Sequence, residues 1–368
     1  MSLSKVNFAD YSSNNNNFLG RKYDYKPSKY RGEFQRDRDR VIHCNSFRRL
    51  KHKTQVFIYH EGDHFRTRLT HSLEVSQIAR SVARSLNLNE DLCEVLSLAH
   101  DLGHTPFGHA GEDALNKCLD GKGVFDHNIQ TLRILILLED VYSSHPGLNL
   151  SLNTLDGLLK HNGPISNKKP YEDQIPEIFD YNFNFKTFGS LEAQIASLSD
   201  DIAYNCHDID DGLRANLFSI DELKEINFIS NLFSNYDIKK KEKLVRVLLN
   251  ILVTDLLETS KKKLEKFNFS NIEEVYNSPK AIISFSDKTL EGLDNIRNFL
   301  KYKMYEHNFI KKWNNKSEII ISNLYNFYKK NYKKIPNPNK NFSIERNVSD
   351  YISGMTDNFA IKIYKGLK

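Results

Sequence analysis

The chain has 368 residues, 39% hydrophobic and 11% aromatic, with a formal net charge of +5, enough apolar material for one large globular domain or two ordinary ones. Its longest apolar run, about "ILILL" at 134–138, falls far short of the roughly 18 residues a membrane span needs. The polar start "MSLSKVNFADYSSNNNN" has no apolar signal segment, so a soluble, cytoplasmic protein is expected. Cys44, Cys93, Cys118 and Cys206 form no CxxC pair, which argues against a zinc knuckle or a disulfide framework and for buried thiols.

In chain order, residues 1–30 read as a loosely ordered segment, or one ordered only by docking on the rest. "QRDRDRVIHCNSFRRLKHKTQVF" places Val41, Ile42, Phe47 and Leu50 at roughly helical spacing among arginines, which predicts an amphipathic helix with a basic face. "RLTHSLEVSQIARSVARSLNL" repeats Leu73, Ile78, Val82 and Leu86 and predicts another. In "NEDLCEVLSLAHDLGH", Asn89 is the expected N-cap, Glu90 and Asp91 suit the first turn, and Gly103 is the stop, so His100 and Asp101 fall at a helix C-terminus. A further helix is predicted through "HNIQTLRILILLEDVY". Residues 143–189, rich in Asn, Pro and Gly, read as an irregular lid or binding loop.

Leu191, Ile195, Leu198 and Ile202 restore helical periodicity, and the pattern stays helical from 218 nearly to the end. The expectation is an all-α fold with a core over 31–217 and a helical C-terminal region over 218–368. The clusters "KKKEK" (239–243) and "SKKKLEK" (260–266) are expected to build subunit contacts or an anion-binding surface, a solvated helix face being the alternative.

The stretch "HDLGHTPFGHAG", residues 100–111, carries three histidines and an aspartate. Its glycine spacing imitates a phosphate-binding P-loop, but His109 stands where the lysine belongs and a helix precedes it where a strand should be. With His71 opening one helix, His100 and Asp101 ending the next and Asp200 inside a later one, four potential ligands sit on three helices, and one divalent ion could collect them. Adjacent helix residues diverge by about 100°, so His100 and Asp101 can share an ion only where the backbone loosens, as it does before Gly103. Two imidazoles and two carboxylates suit manganese, magnesium or iron better than a closed structural zinc site. His60 and His64, in "IYHEGDHF", have no partner pattern and read as loop residues. His109 and Glu112, three apart at the start of the following helix, face one side and could form an acid/base dyad.

These residues resemble the HD superfamily of metal-dependent phosphohydrolases, whose pattern is His, then His-Asp, then a distant Asp. "FRTRLTHSLEV", "HDLGHTPFGHAGE", "FDHNIQTLRIL" and "SLEAQIASLSDDIAYNCHDIDDGL" are similar to bacterial deoxyguanosinetriphosphate triphosphohydrolases of the shorter dGTPase-like branch. The resemblance extends to "RDRDRVIHCNSFRRLKHKTQVF" and "VSDYISGMTDNFA" and so covers most of the chain from about Tyr30. A lone His-Asp pair would be weak; the ordered set is specific.

The resemblance implies an HD-domain helical fold with additional C-terminal helices, and His71, His100, Asp101 and Asp200 as metal ligands. Asp200 is preferred over Asp201 because the family spacing of ligand, Tyr and acid then reads Asp200, Tyr204, Asp208, the last two being sugar contacts. It implies His109 as the catalytic histidine, oriented by Glu112, with His127 as a proton donor and His104 near the phosphates. Asp126 replaces a glutamate common in relatives. Arg68 is the candidate for gripping a phosphate bidentately. Arg49, with Arg48, would reach the base, a solvated basic face being the alternative. The implied activity is hydrolysis of a deoxynucleoside triphosphate at Pα to deoxynucleoside and tripolyphosphate. Another HD nucleotidase or phosphodiesterase and a non-catalytic nucleotide- or nucleic-acid-binding regulator are the alternatives. A homo-oligomer, in some relatives a hexamer, and a dNTP or single-stranded DNA effector belong to the same implication.

Overall fold

A computed structural model describes residues 8–56 and 65–367; His60 and His64 lie outside the described residues. The fold is all-α. Among the described residues there is no strand, and only two isolated β-bridges occur, Arg21 with Ser151 and Thr54 with Thr67. In order the helices are α1 (Glu33–His43), α2 (Asn45–Arg49), α3 (Arg68–Ser85), α4 (Glu90–Ala99), α5 (Gly108–Leu119), α6 (His127–Arg133), α7 (Leu152–Leu159), α8 (Lys169–Gln174) and α9 (Leu191–Arg214). They continue with α10 (Ile220–Leu223), α11 (Asn227–Asn235), α12 (Lys241–Phe267), α13 (Ile272–Tyr276), α14 (Asp287–Leu300), α15 (Asn308–Lys330), α16 (Ile344–Ser353) and α17 (Asp357–Gly366). None of the described helices is long and apolar enough to cross a membrane.

Three apolar clusters hold these helices together. One runs from Val75 on α3 through Ile195 and Ile202 on α9 to Leu248 on α12 and Ile296 on α14. A second joins Val41, Leu96, Leu132 and Leu155, and a third joins Leu115 on α5 to Leu324 on α15 and Ile352 on α16. Helix α9 packs against α3, α4, α7, α12 and α14 and is the central strut. The Asn89 side chain caps α4 through the Asp91 and Leu92 amides, as its sequence predicts.

The N-terminal segment is ordered by docking on the rest, and the structure corrects four other sequence expectations. Residues 8–32 are tied down: Ser12 and Ser13 donate to the buried Glu192 carboxylate at 2.7–3.0 Å, and Arg21 pairs with Glu33 and Asp37. The helix predicted from Gln35 onward breaks at Cys44, whose extended backbone ends α1 and whose Sγ accepts from Phe47 N to cap α2. Within α3, Leu73 is 52% exposed, while His71, Val75, Ile78, Ala79 and Val82 are buried, so the polar His71 belongs to the buried face. The stretch 143–189 is irregular only in part. Ser151 caps α7, Leu155, Leu158 and Leu159 bury into the second cluster, and α8 and a 3-10 turn over Pro176–Tyr181 follow. The predicted helix after His127 ends sooner than expected, as a π-turn over Ile134–Leu138.

Candidate metal centre

His71 enters from the first turn of α3, which is fixed by a reciprocal capping pair of Thr67 and Thr70. His100 is the C-cap of α4, so Asp101 leaves the helical path and turns toward the same point. Asp200 arrives from the middle of α9. His71 Nε2 lies 2.8 Å from Asp200 Oδ1, and His100 Nε2 lies 3.5 Å from both Asp101 Oδ1 and Asp200 Oδ1. Ligand atoms of His71, His100 and Asp101 all fall within 4.8 Å of one another. The structure therefore brings together the four residues expected to ligate. Asp201, one position on, instead pairs with Arg297 of α14 and with Asn205.

The surroundings suit a cation. His100 Nδ1 is 2.7 Å from Ser97 O, which fixes the tautomer, and its buried Nε2 makes no hydrogen bond among the described residues. Burial would lower the His100 pKa, but the Asp101 and Asp200 carboxylates outweigh it and raise it to about 9. Burial would likewise raise the Asp101 and Asp200 carboxyls; Arg68 beside Asp101, and His100 beside Asp200, hold them well below the usual range. Around this cluster stands a shell the sequence reading missed. His71 Nδ1 faces His207 Nδ1 at 3.5 Å, and His207 Nε2 meets Glu74 at 2.6 Å. His161, just after α7, stacks on His100 and reaches Asp200 Oδ2 at 3.4 Å. Glu74 at three residues from His71, and His207 at seven from Asp200, share helix faces with those ligands, a spacing that could have flagged them; nothing local flags His161.

Beside this cluster, two imidazoles converge on one carboxylate and a third packs against one of them. Glu112 of α5 accepts from the His127 backbone amide at 3.0 Å and lies 2.9 Å from His127 Nδ1 and 3.4 Å from His109 Nδ1. Burial would raise its pKa, but the bonds from His109 and His127 hold it well below the usual range. The expected His109–Glu112 pair is thus present as the longer arm of a triad whose shorter arm is His127. The His104 ring lies 4.0 Å from that of His127, and burial, reinforced by Arg68, keeps it neutral. Gly103 makes this closeness possible, since a Cβ there would sit 2.1 Å from His127 O.

A cleft of about 280 Å³ joins both clusters and is lined also by Arg68, Gln55, Asn128 and Tyr204. Arg68 is buried and pairs with Asp101 at 3.0 Å. The Tyr305 hydroxyl lies in short contact with both the Tyr204 hydroxyl and the Asp208 carboxylate, and burial lifts the Asp208 carboxyl to about 7. Tyr305 escaped the sequence reading, as did Gln55, whose buried Oε1 makes no hydrogen bond among the described residues. Arg49 is not brought to this cleft: it donates to Ser46 Oγ at 2.7 Å and lines a separate cavity of about 600 Å³, while Arg48 is exposed.

Comparison with known proteins agrees with the geometry. Residues 68–205 match the model of the HD domain, a divalent-metal-binding domain, and residues 283–366 match the phosphohydrolase-associated domain. The chain is 50% identical over 359 residues to a deoxyguanosinetriphosphate triphosphohydrolase-like protein of Pelagibacter ubique, covering 95% of this chain and 96% of the relative. It is 45% identical to proteins of the same description from Rickettsia prowazekii, covering 98% and 97%, and Nitrobacter hamburgensis, covering 98% and 96%. With His71, His100, Asp101 and Asp200 gathered inside the matched segment, this chain belongs to the HD-domain family of deoxyguanosinetriphosphate triphosphohydrolase-like proteins.

Proposed function

We propose that the protein hydrolyses deoxynucleoside triphosphates, dGTP among them, at Pα, releasing deoxynucleoside and tripolyphosphate. The observation that carries this reading is the order of groups along α9. Asp200, Tyr204 and Asp208 succeed one another at one-turn spacing, about 6 Å of rise per step, and Tyr204 lines the same cleft as the four candidate ligands. A sugar held by Tyr204, with Tyr305 bridging to Asp208, brings its own 5′-phosphorus, rather than the β or γ, to the ligand cluster. The packed Tyr204–Tyr305 pair leaves little room for a 2′-hydroxyl, which favours deoxynucleotides.

A divalent ion (manganese, magnesium or iron) held by His71, His100, Asp101 and Asp200 would supply Lewis-acid charge neutralisation and acidify water. The remaining work falls to the chain. Glu112 fixes Nδ1–H of His127 and of His109, leaving His109 Nε2 to carry a proton toward or from the reacting oxygens, and His127 Nε2 to do so once it exchanges its 3.2 Å contact with the Asn128 side-chain amide for substrate. Arg68 and His104 border the cleft where the trailing phosphates would lie, and Arg68 can bind one of them while it keeps Asp101 ionised. In line with the family, we propose a homo-oligomer responsive to a dNTP or single-stranded DNA. The face around Lys239, Lys240, Lys243 and Arg246 is the candidate contact, to be tested by salt-dependent DNA binding.

The deciding experiment incubates the protein with manganese and each dNTP and separates products by anion exchange. Deoxynucleoside and intact tripolyphosphate in equal amounts are expected. Pyrophosphate with dNMP, or orthophosphate with dNDP, would overturn the assignment of the attacked phosphorus, and absence of turnover would favour the regulator.

A further inference from the structure

The segment "VSDYISGMTDNFA" lies far from the metal ligands in sequence, yet two of its residues grip the backbone that carries the site histidines. Asp357, the first residue of α17, is 1% exposed. Its Oδ1 accepts from Phe107 N at 2.9 Å, and its Oδ2 accepts from Thr54 N at 2.9 Å and, in a short contact, from Thr54 Oγ1. Ser353, the last residue of α16, offers its carbonyl to Lys53 Nζ at 2.8 Å, and the same Nζ donates to His104 O at 2.5 Å. Lys53 is also buried, its ammonium has only carbonyls as hydrogen-bond partners among the described residues, and its own carbonyl accepts from Arg68 N at 3.3 Å.

The turn held in this way is one the chain would not adopt unaided. Phe107 takes the left-handed conformation (φ +65°), which an aromatic residue disfavours, and Gly108 follows at φ +59°. Such backbones persist only where their surroundings over-determine them. Here the restraints are Asp357 on the Phe107 amide, Lys53 on the His104 carbonyl, and Thr105 Oγ1 on Gly108 O at 2.8 Å. His104 begins the turn and His109 follows it directly.

We propose that Asp357 and Lys53 are positioning residues of the hydrolytic site, latching the 104–108 turn, and through it His104 and His109, to the C-terminal helices α16 and α17. The proposal rests on the function proposed above for these histidines, and it gives the helices after α15 a task at the site. An asparagine at 357 cannot reproduce the latch. Its single oxygen can serve Thr54 or Phe107, but its NH2 would then face a second N–H donor.

The test compares Asp357→Asn in the wild-type background and in His109→Ala, with manganese content measured in every protein. In the wild-type background kcat should fall about 30- to 100-fold, the order expected for a misplaced catalytic group, with manganese content unchanged and KM within about threefold. In the His109→Ala background the further loss should shrink to under about tenfold, because one of the two residues whose placement was at stake is gone. Equal losses in the two backgrounds, or an unchanged kcat in folded Asp357→Asn, would overturn the latch. If Asp357→Asn does not fold, Thr54→Val and Lys53→Met each remove one part of the restraint and take its place in the same comparison. The imidazole C–H resonances of His104 and His109, assigned from alanine variants of histidine-labelled protein, give a readout that needs no turnover. They should shift in the latch variants, and unshifted signals refute the latch even if dNTP hydrolysis itself fails to appear.

Discussion

Glu112→Gln isolates the carboxylate that gathers the site histidines, because it changes charge and hydrogen-bond polarity while keeping shape. Glu112 accepts from two imidazoles and one backbone amide. Glutamine has one acceptor oxygen and one NH2: with its oxygen in the Oε1 place it still accepts from the His127 amide and Nδ1–H, but its NH2 then stands where Oε2 was, 2.9 Å from His127 Nδ1 and 3.4 Å from His109 Nδ1, against two N–H donors. To relieve that opposition a ring must move its proton to Nε2, which can then give up a proton but no longer take one. A properly held acid/base group contributes about 10²- to 10⁴-fold. Because Glu112 acts through the imidazoles, the lower end applies: kcat should fall about 100-fold, or about 2.7 kcal/mol of transition-state stabilisation. Glu112 touches none of the four candidate ligands, so manganese content should stay at the wild-type level. The assay is steady-state dNTP hydrolysis beside metal analysis on the same preparations. A fully metallated Glu112→Gln protein with kcat within about threefold of wild type would refute the triad.

Two further outcomes follow from the same geometry. Asp200→Asn should lose the metal, whereas Asp201→Asn, whose native partner is Arg297 on a partly exposed surface, should keep it and lose at most about 1 kcal/mol of stability; metal retention in the first variant or loss in the second, by elemental analysis, would reverse the ligand assignment. Burial lowers the Lys53 pKa to about 7, well below its ordinary unfolded value near 10.4. Between those limits the unfolded chain binds a proton that the folded one does not, so wild-type stability relative to Lys53→Met should rise with pH from about 7 to 10.4, by up to about 1.4 kcal/mol per unit, and be flat below 7. Urea unfolding of both proteins across that range checks the sign, and a difference that falls with pH would contradict it.

Much of the site could be read from the sequence because its candidate ligands coincide with helix punctuation. Asn89 and Gly103 bracket α4 and so place His100 and Asp101 at a loosened end, and the periodicity around Ile195 and Ile202 puts Asp200 on a helix. What stayed hidden depends on contacts between distant parts of the chain. Tyr305 reaches Asp208 across 97 positions and Asp357 reaches Thr54 across 303, and no local pattern announces either. Hydropathy also misdirects where a buried face is polar for a reason: α3 turns His71 inward and Leu73 outward because that inward face builds the site. The reading of 143–189 as irregular followed its Asn, Pro and Gly content and missed that Ser151 and the leucines of α7 suffice for a helix that delivers His161.

The seemingly loose beginning of the chain has a consequence for anyone who trims it. Glu192, in the first turn of the helix that carries Asp200, is fully buried, and its hydrogen-bond donors are Ser12, Ser13 and the Asn89 amide. Asp37, likewise fully buried, has Arg21 as its ion-pair partner. Cutting the chain at residue 30 would leave Asp37 without its buried ion-pair partner, at about 3–5 kcal/mol, and would strip Glu192 of its serine donors, leaving it the Asn89 amide, at about 1–3 kcal/mol for each unsatisfied group. A shortened protein would therefore fail by losing its fold, with every residue of the cleft still present, and an inactive truncation would say nothing about the chemistry.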